Sequence, residues 1–234
     1  MILKEGNKNK KVLKAYQGNW YYRYPVKTRV ILAEDNFDEI IDQYLSAFLE
    51  KGDHVGIAES VLAITQKRVY KFSEIRYGFL AKFLSKFVKK SSAGIGLGTP
   101  QTMQLAIQEV GVLRILLAAF FSALGKLFGL RGIFYKIAGE KVRGIDGPTE
   151  NTIPPYNEYA SLIPKNPDQV IKRLEEKFRD KDIHFYIVDA NDLGVNLIGK
   201  YPKASVHFMK EMFRDNPLGQ SHESTPFLIV RRKR

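Results

Sequence analysis

The run His184-Phe185-Tyr186-Ile187-Val188 is followed at once by Asp189-Ala190-Asn191-Asp192. A short apolar run bounded by turn residues reads as a buried strand. Asp189 then falls at its carboxyl end, where open α/β sheets place their ligand crevices. A second acidic turn, Gly144-Ile145-Asp146-Gly147-Pro148, precedes it in the chain. Two turn-borne carboxylates, in a chain with no cysteine and 4 histidines, suit a hard, oxygen-ligated cation such as Mg²⁺ or Mn²⁺. Aspartate beside glycine or asparagine also shapes turns with no metal in attendance. The spacing alone leaves both readings open.

Strand and helix signals alternate along the chain. Lys27 to Leu32 carries β-branched residues and reads as a strand. Asn36 offers an N-cap with Glu39 three residues on, and Phe37, Ile40, Ile41, Tyr44 and Leu45 follow at helical spacing. His54 to Ala58 reads as a second strand, with Glu59-Ser60 at its exit and an extended continuation from Val61 to Val69. Thr99-Pro100 is a cap followed by proline at a first helical position, opening a helix through Met103, Ala106, Ile107 and Val110. The glycine-rich loop before it, Gly94-Ile95-Gly96-Leu97-Gly98, lacks the lysine of a P-loop and reads as a plain loop. Thr152 to Asn157 is read as extended by its prolines, Asn166-Pro167 opens another helix, and Phe227 to Val230 is a closing strand. The class is therefore α/β, or interleaved α+β, with mixed sheets and packed helices.

The 234 residues carry 37 Lys and Arg against 25 Asp and Glu, a net +12. Such an excess attracts polyanions or small substrates with several phosphates or carboxylates. Absent cysteine excludes disulfides and thiolate chemistry. The first residues lack the apolar core of a secretory signal, so a cytoplasmic location is expected. Residues 1–26 read as a basic N-terminal arm and 27–234 as the folded domain. No nucleic-acid-binding signature is visible, which makes nucleic acid an unfavoured partner. The uncharged segment 115–125 covers roughly 16 Å of helix, about half a bilayer's hydrocarbon core. It reads as a buried core helix or an oligomer contact, with a membrane-surface helix as the less favoured reading, and it does not span. The polar loop ahead of the closing strand offers Gln220, Ser221, Glu223 and Thr225 as oxygen or phosphate ligands, with His222 as a candidate base.

The order of these motifs resembles the γ-glutamyl ligase family that adds glutamate to the deazaflavin coenzyme F-420 precursor. The residues that carry the likeness are Gly52 to Val61, Gly144-Ile145-Asp146, Pro154-Pro155 before Asn166-Pro167-Asp168, Val188-Asp189-Ala190-Asn191, and Thr225 to Arg231. The resemblance implies a single intertwined domain, a homodimer, and a GTP-dependent amide ligase that uses two divalent cations and L-glutamate. Asp146 and Asp189 match the family's metal-binding aspartates, with Asn191 and Asp192 as further oxygen donors. Glu59 and Ser60 match a nucleotide-contacting strand exit, and Thr28, Arg29, Val30 and Ile31 match its first nucleotide-contacting segment. Thr149 stands where the family usually has a nucleotide-binding asparagine. Three departures stand out: Ile64 replaces a nucleotide-facing lysine, Ala190 replaces a metal-ligating threonine, and Asp192-Leu193 replaces a Gly-Arg pair. They leave a folate-type acceptor as an alternative to the deazaflavin, and a non-catalytic basic nucleotide- or nucleic-acid-binding protein of the same fold as another. Arg29, Lys67 or Arg68 is expected to supply the cation missing at Ile64.

Overall fold

A computed structural model describes residues 1–88, 96–191, 194–200, 205–219 and 223–234. The chain divides into two units, Met1–Lys67 with Pro164–Arg234, and Arg68–Ile163. The first unit is a mixed α/β layer structure around a six-stranded sheet. Its strands are β1 (Leu13–Tyr16), β2 (Asn19–Val26), β3 (His54–Ala58), β6 (His184–Asn191), β7 (Gly194–Lys200) and β8 (Phe227–Arg232). Across the sheet they lie in the order β1-β2-β8-β3-β6-β7. β3 and β6 run parallel, and the other neighbours run antiparallel. Parallel strands need a long crossover, and residues 68–163 form the second unit within this one.

Helix α9 (Val206–Phe213) covers one face of the sheet, with Phe208, Met209, Met212 and Phe213 packed on Tyr186, Val188, Leu228 and Val230. Gly56 lies beneath it because a Cβ there would sit 2.3 Å from the Phe213 ring. The opposite face receives α8 (Pro167–Lys177), whose Ile171 and Leu174 are fully buried. The central strands β3, β6 and β8 are thus apolar on both faces, as internal strands must be. The remaining helices of this unit are α1 (Phe37–Ile41), which continues as a π turn through Ser46, and α2 (Glu59–Thr65). The Asn36 side chain caps α1 by accepting from the Asp38 and Glu39 amides at 2.9 and 3.3 Å.

The second unit holds α3 (Phe79–Ser85), α4 (Pro100–Val110), α5 (Val112–Leu127), α6 (Ile133–Ala138), α7 (Glu140–Arg143) and a short ladder of β4 (Val69–Lys71) with β5 (Tyr159–Ser161). Thr99 caps α4 as expected, its hydroxyl accepting from the Thr102 amide at 3.3 Å.

Several sequence expectations are corrected. Residues 27–32 join no ladder; Pro25 and Val26 complete β2, and the chain leaves the sheet there. The apolar run after Ser60 is not extended. It forms α2, whose Val61, Leu62, Ala63 and Ile64 are all buried. Residues 152–157 turn rather than extend, ending in a 3-10 turn at Tyr156–Glu158. Helix α5 is not a buried core helix, since it buries only Ile115, Ala118 and Gly125. Among the described residues no single helix is long and apolar enough to cross a membrane; α4 and α5 pass that test only as a pair bent by 116°. Residues 1–26 supply β1 and β2.

Arg23, on β2, is 1% exposed. Its guanidinium donates to the Met212 carbonyl at 2.8 Å, to the Lys11 carbonyl, and to both Asp215 carboxylate oxygens, the Nη2 bond to Oδ2 being 2.9 Å. Burial by itself would raise the Asp215 pKa, but Arg23 and then Lys14 outweigh it and hold the carboxyl well below the usual range. His54 is shifted the other way from its charged form: burial, then the neighbouring His184, lowers its pKa to about 4.

Both depressed pKa values give stability that is complete at neutral pH and lost on acidification. The loss is expected to begin as pH falls below 6.5 toward about 4 for His54, and to continue below 3.8 for Asp215. Thermal melts across that range check it, and His54→Gln should remove the upper part of the slope. Asp215→Ala should lower the unfolding free energy in urea by about 3 kcal/mol, the lower end of the cost of stranding a buried charge. That lower figure reflects the 42% exposure of the Asp215 side chain.

Candidate functional site

Three segments of the first unit meet where β3 ends. Ala58, the last residue of β3, donates its amide to the Pro226 carbonyl at 2.8 Å, fixing the segment that leads into β8. Thr28 donates its amide to the Ser224 carbonyl at 2.9 Å, and the Ser224 hydroxyl returns a bond to the Thr28 carbonyl at 3.0 Å. Glu59 and Ser60 open α2 directly after Ala58. On the neighbouring strand Ala58 pairs with Val188, so Asp189 is the first β6 residue beyond the reach of β3. Thr28, Glu59, Ser60, Asp189 and Glu223 to Thr225 therefore lie toward one end of the central strands, although they are drawn from four stretches of sequence.

Asp189 is not on a turn. β6 runs on past β3 as a hairpin with β7, pairing Asp189 with Asn196 and Asn191 with Gly194, after a register shift at Ile187/Val188. Bulges of this kind re-aim side chains beside functional sites. Burial raises the pKa of the Asp189 carboxyl. In the same unit Glu223 Oε2 is buried with no hydrogen-bond partner among the described residues. Gly219 makes room for it, since a Cβ there would meet the Glu223 carboxyl carbon at 2.8 Å.

Other predicted positions are already committed. The Arg29 guanidinium grips both Asp35 oxygens at 2.6 Å. Those bonds raise its pKa and lower that of Asp35. A phosphate at Arg29 would have to compete with Asp35. The buried Thr225 hydroxyl donates to the Leu218 carbonyl at 2.6 Å and accepts from Asn7 Nδ2 at 2.8 Å. Ile31 is 6% exposed and belongs to the core, while Val30 offers its carbonyl to Arg29 at 2.9 Å. Ile64, where the resemblance expects a lysine, is 7% exposed on the inward side of α2. Asp192, Gln220, Ser221, His222 and the Asn191 side chain lie outside the described residues.

In the second unit Asp146 is exposed and sits on the loop after α7. Two backbone bonds fix it to β5: its amide donates to the Ser161 carbonyl at 3.1 Å, and the Ser161 amide donates back at 2.9 Å. Ile145, 1% exposed, anchors the turn in the core. Gly144 has no space for a side chain, a Cβ there falling 2.3 Å from Ile163. Thr149 shapes the following turn, its hydroxyl accepting from the Asn151 amide at 3.3 Å. Arg68 is paired with Glu109 at 2.9 Å, and Lys67, closing the first unit, is exposed. Among the described residues no three His, Asp or Glu side chains form a ligand-like group.

Sequence reasoning missed Asn7, Asp35 and Ser224, the residues that hold the site's loops. Asn7 and Ser224 act through partners 196 to 218 residues away, and Asp35 through the Arg29 guanidinium and the Leu32 amide, contacts that no local pattern announces.

The raised pKa of Asp189 sets a sign. Its stabilising contribution is complete below 3.8 and is lost as pH rises through the shifted value, so at neutral pH the ionised group costs stability. Asp189→Asn is therefore expected to raise the melting temperature of the protein in a chelator, on the order of 2–4 °C per kcal/mol relieved. A lower melting temperature would show that the carboxylate gains more from its surroundings than it loses by leaving water.

A family model described as F420-0:Gamma-glutamyl ligase matches residues 25–194. That span takes in the β3 exit, the Asp146 loop and Asp189. A search among curated proteins finds no match. By this match over most of its length, the chain belongs to the F420-0:gamma-glutamyl ligase family.

Proposed function

We propose that the protein is a GTP-dependent amide ligase of the cytoplasm that joins L-glutamate to a carboxylate of the deazaflavin coenzyme precursor, acting as a homodimer with two Mg²⁺ or Mn²⁺ ions. The observation that carries the reading within the family is Asp189, a desolvated carboxylate at the carboxyl end of a parallel strand pair. Such a group gains from a cation at its side. Mg²⁺ commonly takes one or two protein carboxylates and fills its remaining positions with water and phosphate oxygens. Single carboxylates at Asp189 and Asp146 fit that chemistry without a dense ligand cluster. Glu223, with its unsatisfied oxygen, is a further acceptor toward the same end of the central strands as Asp189.

Amide formation requires the acceptor carboxylate to be made electrophilic. The γ-phosphoryl group of the nucleotide moves to that carboxylate, giving an acyl phosphate and releasing the nucleoside diphosphate. The glutamate amine then attacks the carbonyl, phosphate departs, and the amine proton passes to solvent or a nearby base. Divalent cations, if held at Asp146 and Asp189, would supply charge neutralisation to the phosphates. The chain's own part is positional. Asp189 on β6 and Asp146 on its Ser161-tied loop each offer a carboxylate from their own unit, the Thr28–Ser224 bonds keep the nucleotide-matched segment against the β8 lead-in, and Ser60 is exposed at the start of α2. Ile64 offers no charge, and the exposed Lys67 just beyond the end of α2 is a cation that could answer a phosphate in its stead.

The test is ligation itself. The protein is incubated with GTP or ATP, Mn²⁺ or Mg²⁺, glutamate and either the deazaflavin precursor or a folate, and the products are weighed by mass spectrometry. A glutamyl adduct of the deazaflavin with GTP is expected, and Asp146→Asn and Asp189→Asn should each lower the rate by about 10²-fold or more, the scale on which lost charge stabilisation acts. An adduct on folate alone would move the acceptor. No adduct, with no nucleotide-dependent rise in melting temperature, would reject the ligase.

A further inference from the structure

Helix α5 is built with its greasy side outward. Its buried arc is Ile115, Ala118 and Gly125. Leu113, Leu116, Leu117, Phe120, Leu124 and Leu127 stand on the exposed side, Leu113 at 72% and Leu127 at 80% exposure. The exposed polar residues of this helix are Arg114 and Lys126. At about 3.6 residues per turn they fall at the two edges of an apolar arc roughly 180° wide. The Arg114 edge is pinned, its Nε donating to the Ile137 carbonyl at 2.8 Å.

Helix α3 repeats the pattern. Phe79, Phe83 and Phe87 recur every fourth residue and are exposed, with ring centroids 6.3 and 5.1 Å apart along the stripe. Lys82 and Lys86 are exposed along one flank of that stripe, while Ala81, Leu84 and Ser85 are buried. Both helices rest on one core, which contains Ala81, Leu84, Ile115 and Ala118. Apolar surface of this extent marks a docking face.

Charge identifies the occupant. From Ile75 to Gly139 the sequence carries nine basic residues and a single acidic one, Glu109. Glu109 is 11% exposed and is spent on Arg68. In a two-fold contact between copies these cations would face the same cations, with no free carboxylate on the segment to answer them. An anionic lipid surface answers both features. Its acyl region takes up leucine and phenylalanine, and its phosphates meet lysine and arginine reaching out from the edges. The 16 residues of α5 cover about 24 Å, short of the ~30 Å hydrocarbon core, so the helix lies along the interface rather than through it.

We propose that the second unit docks on an anionic phospholipid bilayer through the exposed sides of α3 and α5. The full chain is sedimented with vesicles of phosphatidylcholine alone or mixed with phosphatidylglycerol, at low and high salt. Binding to the mixed vesicles is expected to exceed binding to the neutral ones by about tenfold or more and to weaken with salt. Leu113→Ser with Leu117→Ser and Phe120→Ser should abolish it while leaving the thermal melt cooperative. Lys82→Glu with Lys86→Glu reads the same surface independently and should lower binding by about tenfold or more. The proposal is overturned if the protein pellets with neither vesicle, or if both variants bind like the unaltered chain. It is also overturned if light scattering shows a dimer that the leucine and phenylalanine substitutions turn into a monomer, because a second copy then owns the face.

Discussion

A buried guanidinium organises the first unit. Removing a charge from water costs several kcal/mol unless it is paired; the two terminal nitrogens of Arg23 find partners in three places, while its buried Nε has none among the described residues. Lys11 precedes β1, Met212 lies in the last turn of α9, and Asp215 follows that helix. Strand β2, the C-terminal end of α9 and the N-terminal segment are consequently fixed together. Between β2 and β3 lies β8, the last strand of the chain, paired antiparallel with both. The sheet is therefore complete only when the two ends of the chain have met. The end of the sheet that carries Thr28 and Ser224 begins where that pairing stops.

Local signals carried much of this fold. The Asn36 cap, strand β3, the Thr99-Pro100 start of α4 and the Pro167 start of α8 were readable because cap chemistry and apolar spacing act within a few residues. The failures share a cause. Val61 to Ile64 is apolar at every position and so has no period that separates helix from strand; the site of its burial, not its sequence, makes it α2. Lys27 to Leu32 has strand-like residues but no strand beside it. Asp189 was readable as a strand-end carboxylate, while the hairpin that continues past it depends on β7, which nothing in the Asp189 stretch announces. Arg23 was invisible as a buried charge, because its partner lies 192 residues away.

The site sets stability against use. Asp189 is held where its ionised form is disfavoured, and Glu223 keeps an oxygen without a partner. A chain selected only to fold would replace both with amides or apolar groups. Arg29 shows the opposite arrangement: its charge is answered within the chain by Asp35, and the pair steadies the Leu32 turn, where Asp35 accepts from the Leu32 amide at 2.7 Å. One carboxylate disfavoured by burial, another with an unpartnered oxygen and a guanidinium already paired thus lie in one unit of the chain.

The positive charge of the chain has a distribution that substrate attraction alone does not account for. Eight of the twelve excess charges fall between Ile75 and Gly139, a segment that holds none of the nucleotide-matched residues. Screening at physiological salt limits exposed charges to a range of about 8 Å, so these cations act on what touches that segment. What touches it must also accept a helix whose outward arc is leucine and phenylalanine and whose inward arc is largely alanine and glycine. A core-facing helix has the reverse arrangement, because large apolar side chains gain most from burial. Solvent contact alone offers no reason for either the inversion or the one-sided charge, whereas an interface that is oily within and anionic at its rim accounts for both.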